Sequence, residues 1–128
     1  MKKGKLFIGP AESGKTREAR RIASELNHEN VTLITLRSVK RKYVGNFFFS
    51  GCTKETQLLI LDDWFDLTLL SMMIGILEGI MVEKQGLYPF EINPDIILIA
   101  DSRLTLEDFP VSITRYFDIV TFPLTPTA

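Results

Sequence analysis

The sequence predicts an α/β fold, a three-layer αβα sandwich built on a central, mostly parallel five-stranded sheet. Three observations predict it. Short β-type runs at residues 5–8, 31–36, 58–61, 96–100 and 118–122 are interleaved with segments of helical spacing. Two of the runs, LLIL and IILIA, are continuously apolar, as expected of parallel strands covered on both faces. The turn after the first run contains glycines and passes straight into a helical pattern, as where a strand delivers a loop to the edge of a sheet.

Taken in order, residues 5–8 form the first strand. Residues 16–26 carry Ala19, Ile22, Ala23 and Leu26 at helical spacing, with Arg17, Arg20, Arg21 and Glu25 on the other faces. Asn27 and Asn30 end that helix. VTLITL at 31–36 is a strand bounded by polar residues. The segment 37–43 is basic and irregular, and 47–49 is either extended or hydrophobic packing. After the strand at 58–61, residues 67–84 read as a long buried helix. Gly75, Glu78 and Gly79 interrupt its apolar run, which falls short of a membrane span. Residues 86–93 suit a hairpin or a loop. IILIA at 96–100 is a second buried strand, a short helix ends within 113–116, and 118–122 is the last strand. The tail PLTPTA, 123–128, is expected to fray. With no repeat and no composition break, residues 1–128 read as one domain.

Composition narrows the function classes. A chain of 128 residues, 45% hydrophobic and 24% charged, suits one globular domain with a full core. Its net charge of −1 excludes bulk attraction to nucleic acid and leaves only local patches for such binding. Cys52 is the single cysteine, so no internal disulfide forms, and a reducing, cytoplasmic location is expected. With His28 the single histidine, a zinc site is not expected. The opening MKKGKLFIGP has too brief an apolar run for a secretory signal.

The most specific stretch is FIGPAESGKT. Gly9 and Gly14-Lys15-Thr16 fit the Walker A pattern G-x-x-x-x-G-K-[ST]. Glycines allow backbone angles and close approach that a side chain would block. Successive amides can then cradle phosphate oxygens, aided by the N-terminus of the following helix. The expected binding residues are Gly9, Pro10, Ala11, Glu12, Ser13, Gly14, Lys15, Thr16 and Arg17. Lys15 would reach the β- and γ-phosphates, and the Thr16 hydroxyl would face Mg²⁺. The ligand class is ATP or another nucleoside triphosphate. The plainer alternative is a glycine-containing turn that caps an ordinary helix.

LLILDDW places Asp62 and Asp63 at the end of a buried strand. An acid there can hold Mg²⁺ through water, and a following acid can polarise an attacking water. Asp62 is therefore the metal-side candidate, and Asp63 the candidate for activating water. Alternatively, Asp63 or Asp66 caps the next helix.

GPAESGKT and LLILDD together resemble the P-loop NTPases of the AAA+ group, and within it the superfamily-three helicases of small replicons. ILEGIMVEKQGLYPFEINPDIILIADSR is similar to their segment running from a helix through a lysine-bearing loop to a strand with a polar end. SITRYFDIVTF is similar to the region where an arginine precedes an aromatic residue and the last strand. The resemblance implies a polar sensor at Asp101 or Ser102, where the family commonly has asparagine or threonine. It implies an arginine finger at Arg115, reaching a neighbouring subunit's γ-phosphate within a homo-oligomeric ring. It also implies a nucleic-acid contact at Lys84.

Each has a plainer alternative: Asp101 caps the turn before Leu104, Arg115 makes a surface ion pair, and Lys84 is a solvated charge. Arg103 is a second arginine that could serve as the finger. Only Met1 to Gly4 precede the first strand, and no helical lid follows the last. A minimal AAA+-like core without lid is expected, with poor base selectivity.

Arg37, Lys40, Arg41 and Lys42, followed by Tyr43 and Phe47 to Phe49, could bind single-stranded nucleic acid by charge and stacking. A solvated loop followed by core phenylalanines is the alternative. The functional expectation is slow, Mg²⁺-dependent ATP hydrolysis in a helicase-like motor or remodelling core of a DNA- or RNA-replication context. The second reading is a nucleotide-binding interaction module with negligible hydrolysis. A small-molecule kinase would need an arginine-rich lid, which the sequence does not contain.

Overall fold

The computed structural model describes residues 4–35, 49, 51–64, 79–84 and 86–123. Strands β1 (Gly4–Ile8), β2 (Val31–Thr35), β3 (Leu58–Trp64), β6 (Asp95–Ala100) and β7 (Phe117–Thr121) make one five-stranded sheet in the order β2-β3-β6-β1-β7. Every pairing in it is parallel, so the sheet is parallel throughout rather than mostly so. β4 (Ile80–Val82) and β5 (Phe90–Ile92) form a separate antiparallel hairpin. Helices α1 (Lys15–Ala23) and α2 (Val111–Thr114), with short 3₁₀ turns at His28–Asn30 and Leu106–Asp108, complete the regular elements among the described residues.

The period-2 alternation of side chains divides the core into two. On one face Phe7, Leu58, Ile60, Ile97 and Ile99 pack with Ala19 of α1 and with Phe122. The rings of Phe7 and Phe122 lie 5.0 Å apart and tilted by 55°. On the other face Leu6, Leu59, Leu61 and Leu98 pack against Ile80, Val82 and Ile92 of the hairpin, Ile113 of α2, and Phe49 and Cys52. Both faces are thus covered, which is why the inner strands read as unbroken apolar runs.

The predicted helix at 67–84 is corrected at its end. Residues 80–82 are strand, entered through Gly79 at φ 148°. Ile80 and Val82 are buried while Met81 is 53% exposed, and that alternation belongs to a strand. The hairpin therefore begins before residue 86. Residues 65–78, the basic segment 37–43, Phe47, Phe48 and the tail 124–128 lie outside the described residues. Phe49 is a core residue, as the packing alternative held.

The strand order has one consequence for function. β3, β6 and β1 are neighbours, and all run the same way. Their carboxyl ends therefore bring Asp62 and Asp63, Asp101, and the loop after Ile8 to one edge of the sheet.

Candidate functional site

The loop between β1 and α1 is shaped by two left-handed residues, Glu12 at φ 60° and Gly14 at φ 101°. Gly14 is the helix N-cap, and its carbonyl accepts the first helical bond from the Glu18 amide at 2.9 Å. The Ser13 hydroxyl donates to the Pro10 carbonyl at 2.7 Å and closes the loop on itself. The two glycines have different reasons to be there. Gly14 has open space around it, and only its backbone angle needs glycine. At Gly9 a Cβ would lie 2.7 Å from both the Cβ and the carbonyl oxygen of Phe122. Its close approach is to the chain after β7.

Residues 12–17 line a recess of 530 Å³ at this edge. Lys15 is the first residue of α1 and is buried, and its ammonium donates to the Gly9 carbonyl. Burial draws its pKa below the ordinary lysine value, opposed by the negative charges of Asp101, Asp62 and Asp63 in that order. The ammonium is thus held beside the recess with three carboxylates in electrostatic reach.

Asp62 is half-buried at the end of β3, opposite Thr35 of β2. Burial raises its pKa, and the neighbouring charge of Asp63 adds to the rise. The Asp63 amide, the Thr16 hydroxyl and the charge of Arg20 pull the other way. The Asp63 amide reaches Asp62 Oδ1 at 2.7 Å because Asp63 turns into the left-handed region at φ 54°. There the β3–β6 register slips between Leu61 and Trp64, so the two acids occupy a bulge. The Thr16 hydroxyl and the Asp62 carboxylate are an all-oxygen donor pair, which suits a hard divalent cation such as Mg²⁺. Among the described residues no three His, Cys, Asp or Glu side chains cluster for a metal, so such a cation would need further oxygens from its ligand.

Asp101 is 4% exposed, and its amide donates to the Trp64 carbonyl at 2.8 Å, tying β6 to β3 at the site. Its carboxylate accepts from the Arg103 amide and Arg103 Nε, each at 2.9 Å, and from Nη2 at 3.4 Å. Ser102 is exposed.

Lys15, Thr16, Asp62, Asp63 and Asp101 are therefore brought together, with the exposed Arg17 on the rim of the recess. Arg115 is not. It precedes β7, whose Phe117 pairs with Gly4 at the start of β1, at the opposite end of the sheet from the loop. Its guanidinium lies over the Tyr116 ring at 4.9 Å and donates to the Tyr116 hydroxyl at 3.0 Å. Lys84 follows β4, and its charge acts on Cys52.

Two contributors escaped the sequence reading. Arg20 is four residues beyond Thr16, on the same face of α1, and that spacing could have linked it to Asp62. The pairing of Asp101 with Arg103, two positions on, was open to the same kind of inspection.

A parallel α/β sheet with a glycine-bearing loop running from its first strand into a helix defines a P-loop-like fold. Among solved structures the chain is similar to NtrX from Brucella abortus, crystallised in complex with ADP. The TM-score is 0.60 at 15% identity, over 94% of this chain and 32% of that one. At this identity the likeness concerns the fold, and the chain spans only about a third of that protein. No protein-family model and no curated protein matches the sequence.

Proposed function

We propose that this chain binds a nucleoside triphosphate, with ATP as the expected base form, in the recess behind Lys15, and hydrolyses it slowly with Mg²⁺. The observation that carries this reading is the meeting of Lys15, Thr16 and Asp62 beside a 530 Å³ recess lined by residues 12–17. The fold likeness to a protein crystallised with ADP adds support. Loop amides and the Lys15 ammonium would bind the phosphates. Thr16 and Asp62 would hold Mg²⁺, which when bound neutralises phosphate charge. Asp63 would orient the attacking water, and Asp101 would stand at the place of the sensor.

In the AAA+-like form of the proposal, Arg115 completes a neighbour's site. Its position at the opposite end of the sheet suits a contribution to another copy and excludes one to its own loop. A helicase-like role on single-stranded nucleic acid, through Lys84 and the basic residues Arg37, Lys40, Arg41 and Lys42, is the finer form of the same reading.

One observation favours the second reading, a nucleotide-binding module with negligible hydrolysis. Asp101, at the place of the expected sensor, is already engaged by Arg103.

Calorimetric titration with ATP, with and without Mg²⁺, tests the binding. Lys15→Ala is expected to abolish it, and full affinity in that variant would remove the loop from its role. Asp63→Asn separates the two readings. A measurable hydrolysis rate that falls sharply in the variant supports the enzyme, and no turnover at any protein concentration supports the module.

A further inference from the structure

The carboxylates at the site present an electrostatic problem. Asp62, Asp63 and Asp101 all act on the Lys15 ammonium. A triphosphate brings several more negative charges to the same edge. Mg²⁺ held near Thr16 and Asp62 would offset part of this. Asp101 follows the neighbouring strand β6, and of the three its charge acts most strongly on Lys15. Left uncovered, it would compete with phosphate for the ammonium.

Asp101 is not left uncovered. It is 4% exposed, and the Arg103 amide, Nε and Nη2 all converge on its carboxylate. Arg103 reaches it from the solvent side, with a side chain 75% exposed, while the carboxylate itself is 3% exposed. An exposed ion pair contributes little to stability as a rule. Here one partner is buried and the fork meets both of its oxygens, which is the stronger arrangement. The Leu104 amide bonds the Asp101 carbonyl at 2.9 Å, closing the turn that presents Arg103 to its partner.

We propose that Arg103 is a positioning residue of the nucleotide site: clamped on Asp101, it cancels the carboxylate that would otherwise hold Lys15 away from phosphate. This rests on the nucleotide reading above and deepens it. Arg103 touches no phosphate. It acts through Asp101.

The test is the affinity of the full chain for ATP–Mg²⁺ and for inorganic pyrophosphate in four proteins: wild type, Arg103→Gln, Arg103→Lys, and the double variant Asp101→Asn/Arg103→Gln. Thermal melting is recorded for each. Arg103→Gln is expected to bind both ligands roughly tenfold more weakly. The double variant, with the offending charge removed, should recover most of that loss. Arg103→Lys keeps the charge without the fork and should fall between wild type and Arg103→Gln.

A merely structural role for Arg103 would change the melting temperature, which neutralising Asp101 would also restore, and would leave the affinity of the folded protein unchanged. Folded Arg103→Gln that binds like wild type overturns the proposal, as does a double variant no better than the single one. If Arg103→Gln melts before it can be titrated, Arg103→Lys carries the test, and wild-type affinity there overturns the proposal. Absence of binding in the wild-type chain overturns the nucleotide reading, and this proposal with it. Binding in wild type that is indifferent to Arg103 overturns this proposal alone.

Discussion

Asp62 is the residue on which the metal assignment turns. Its carboxylate is desolvated, which raises its proton affinity in the absence of a cation, while the Thr16 hydroxyl it accepts pulls the other way. A divalent ion bound there would reverse that preference. ATP affinity should therefore rise on adding Mg²⁺ to the wild-type chain and stay flat in Asp62→Asn, as read by calorimetry in the presence and absence of a chelator. An equal Mg²⁺ response in the variant would move the ion elsewhere. Cys52 gives a second test, independent of any ligand. Burial pushes its thiol up to about 11, partly opposed by a hydrogen bond with Thr32 and by the charge of Lys84. A raised folded-state value means the neutral thiol is favoured in the native protein. Its contribution is complete below the unfolded value of 9.0 and is lost as pH rises from there through about 11. Stability should thus fall over that window by on the order of 2–3 kcal/mol. Cys52→Ala should flatten the fall in denaturant melts, and an unchanged slope would contradict the assignment.

At the scale of elements, the connection from β1 to α1 is held from two sides. Gly14 turns the chain into the helix, and Gly9 lets the segment after β7 lie against the loop. Phe122 donates its amide to the Ile8 carbonyl at 2.7 Å, so the end of β7 braces the start of the loop. Gly9→Ala would place a methyl group 2.7 Å from that backbone and should cost roughly 1–3 kcal/mol. Gly14→Ala meets no atom but must hold φ 101°, at a cost of about 1–2 kcal/mol. Thermal melts should rank wild type above both. A Gly9→Ala protein as stable as wild type would show that the brace is dispensable. The bulge at Leu61–Trp64 works similarly on β3, turning Asp63 so that its amide serves Asp62.

For the whole molecule, the sheet separates two chemistries. The loop, Asp62, Asp63 and Asp101 occupy the carboxyl edge, and Arg115 occupies the amino edge. In the AAA+-like proposal, Arg115 would serve the site of another copy. Mixing Lys15→Ala, which keeps Arg115, with Arg115→Ala, which keeps the loop, should restore turnover that neither variant has alone. A finger supplied by a neighbour contributes roughly 10³–10⁵ in rate where it is known. The measurement is phosphate release per subunit against protein concentration. A mixture no faster than its components would remove Arg115 from the reaction. Among the described residues no helix is long and apolar enough to cross a membrane.

The phosphate-loop spacing, the buried strands and the paired acids were legible because each is a local pattern: a motif, an unbroken apolar run, a polar end to that run. Residues 80–82 were misread because they resume the apolar run just past Glu78 and Gly79, and so read as its continuation. Only the pairing of Ile80 with Ile92 and of Val82 with Phe90 makes them a strand. The brace of Phe122 on Gly9 and the distance of Arg115 from its own loop could not be read from composition or period. They depend on which strands lie side by side. Sheet order is decided by long-range burial, as both faces of β3, β6 and β1 find cover at once, and no short window of sequence contains that information.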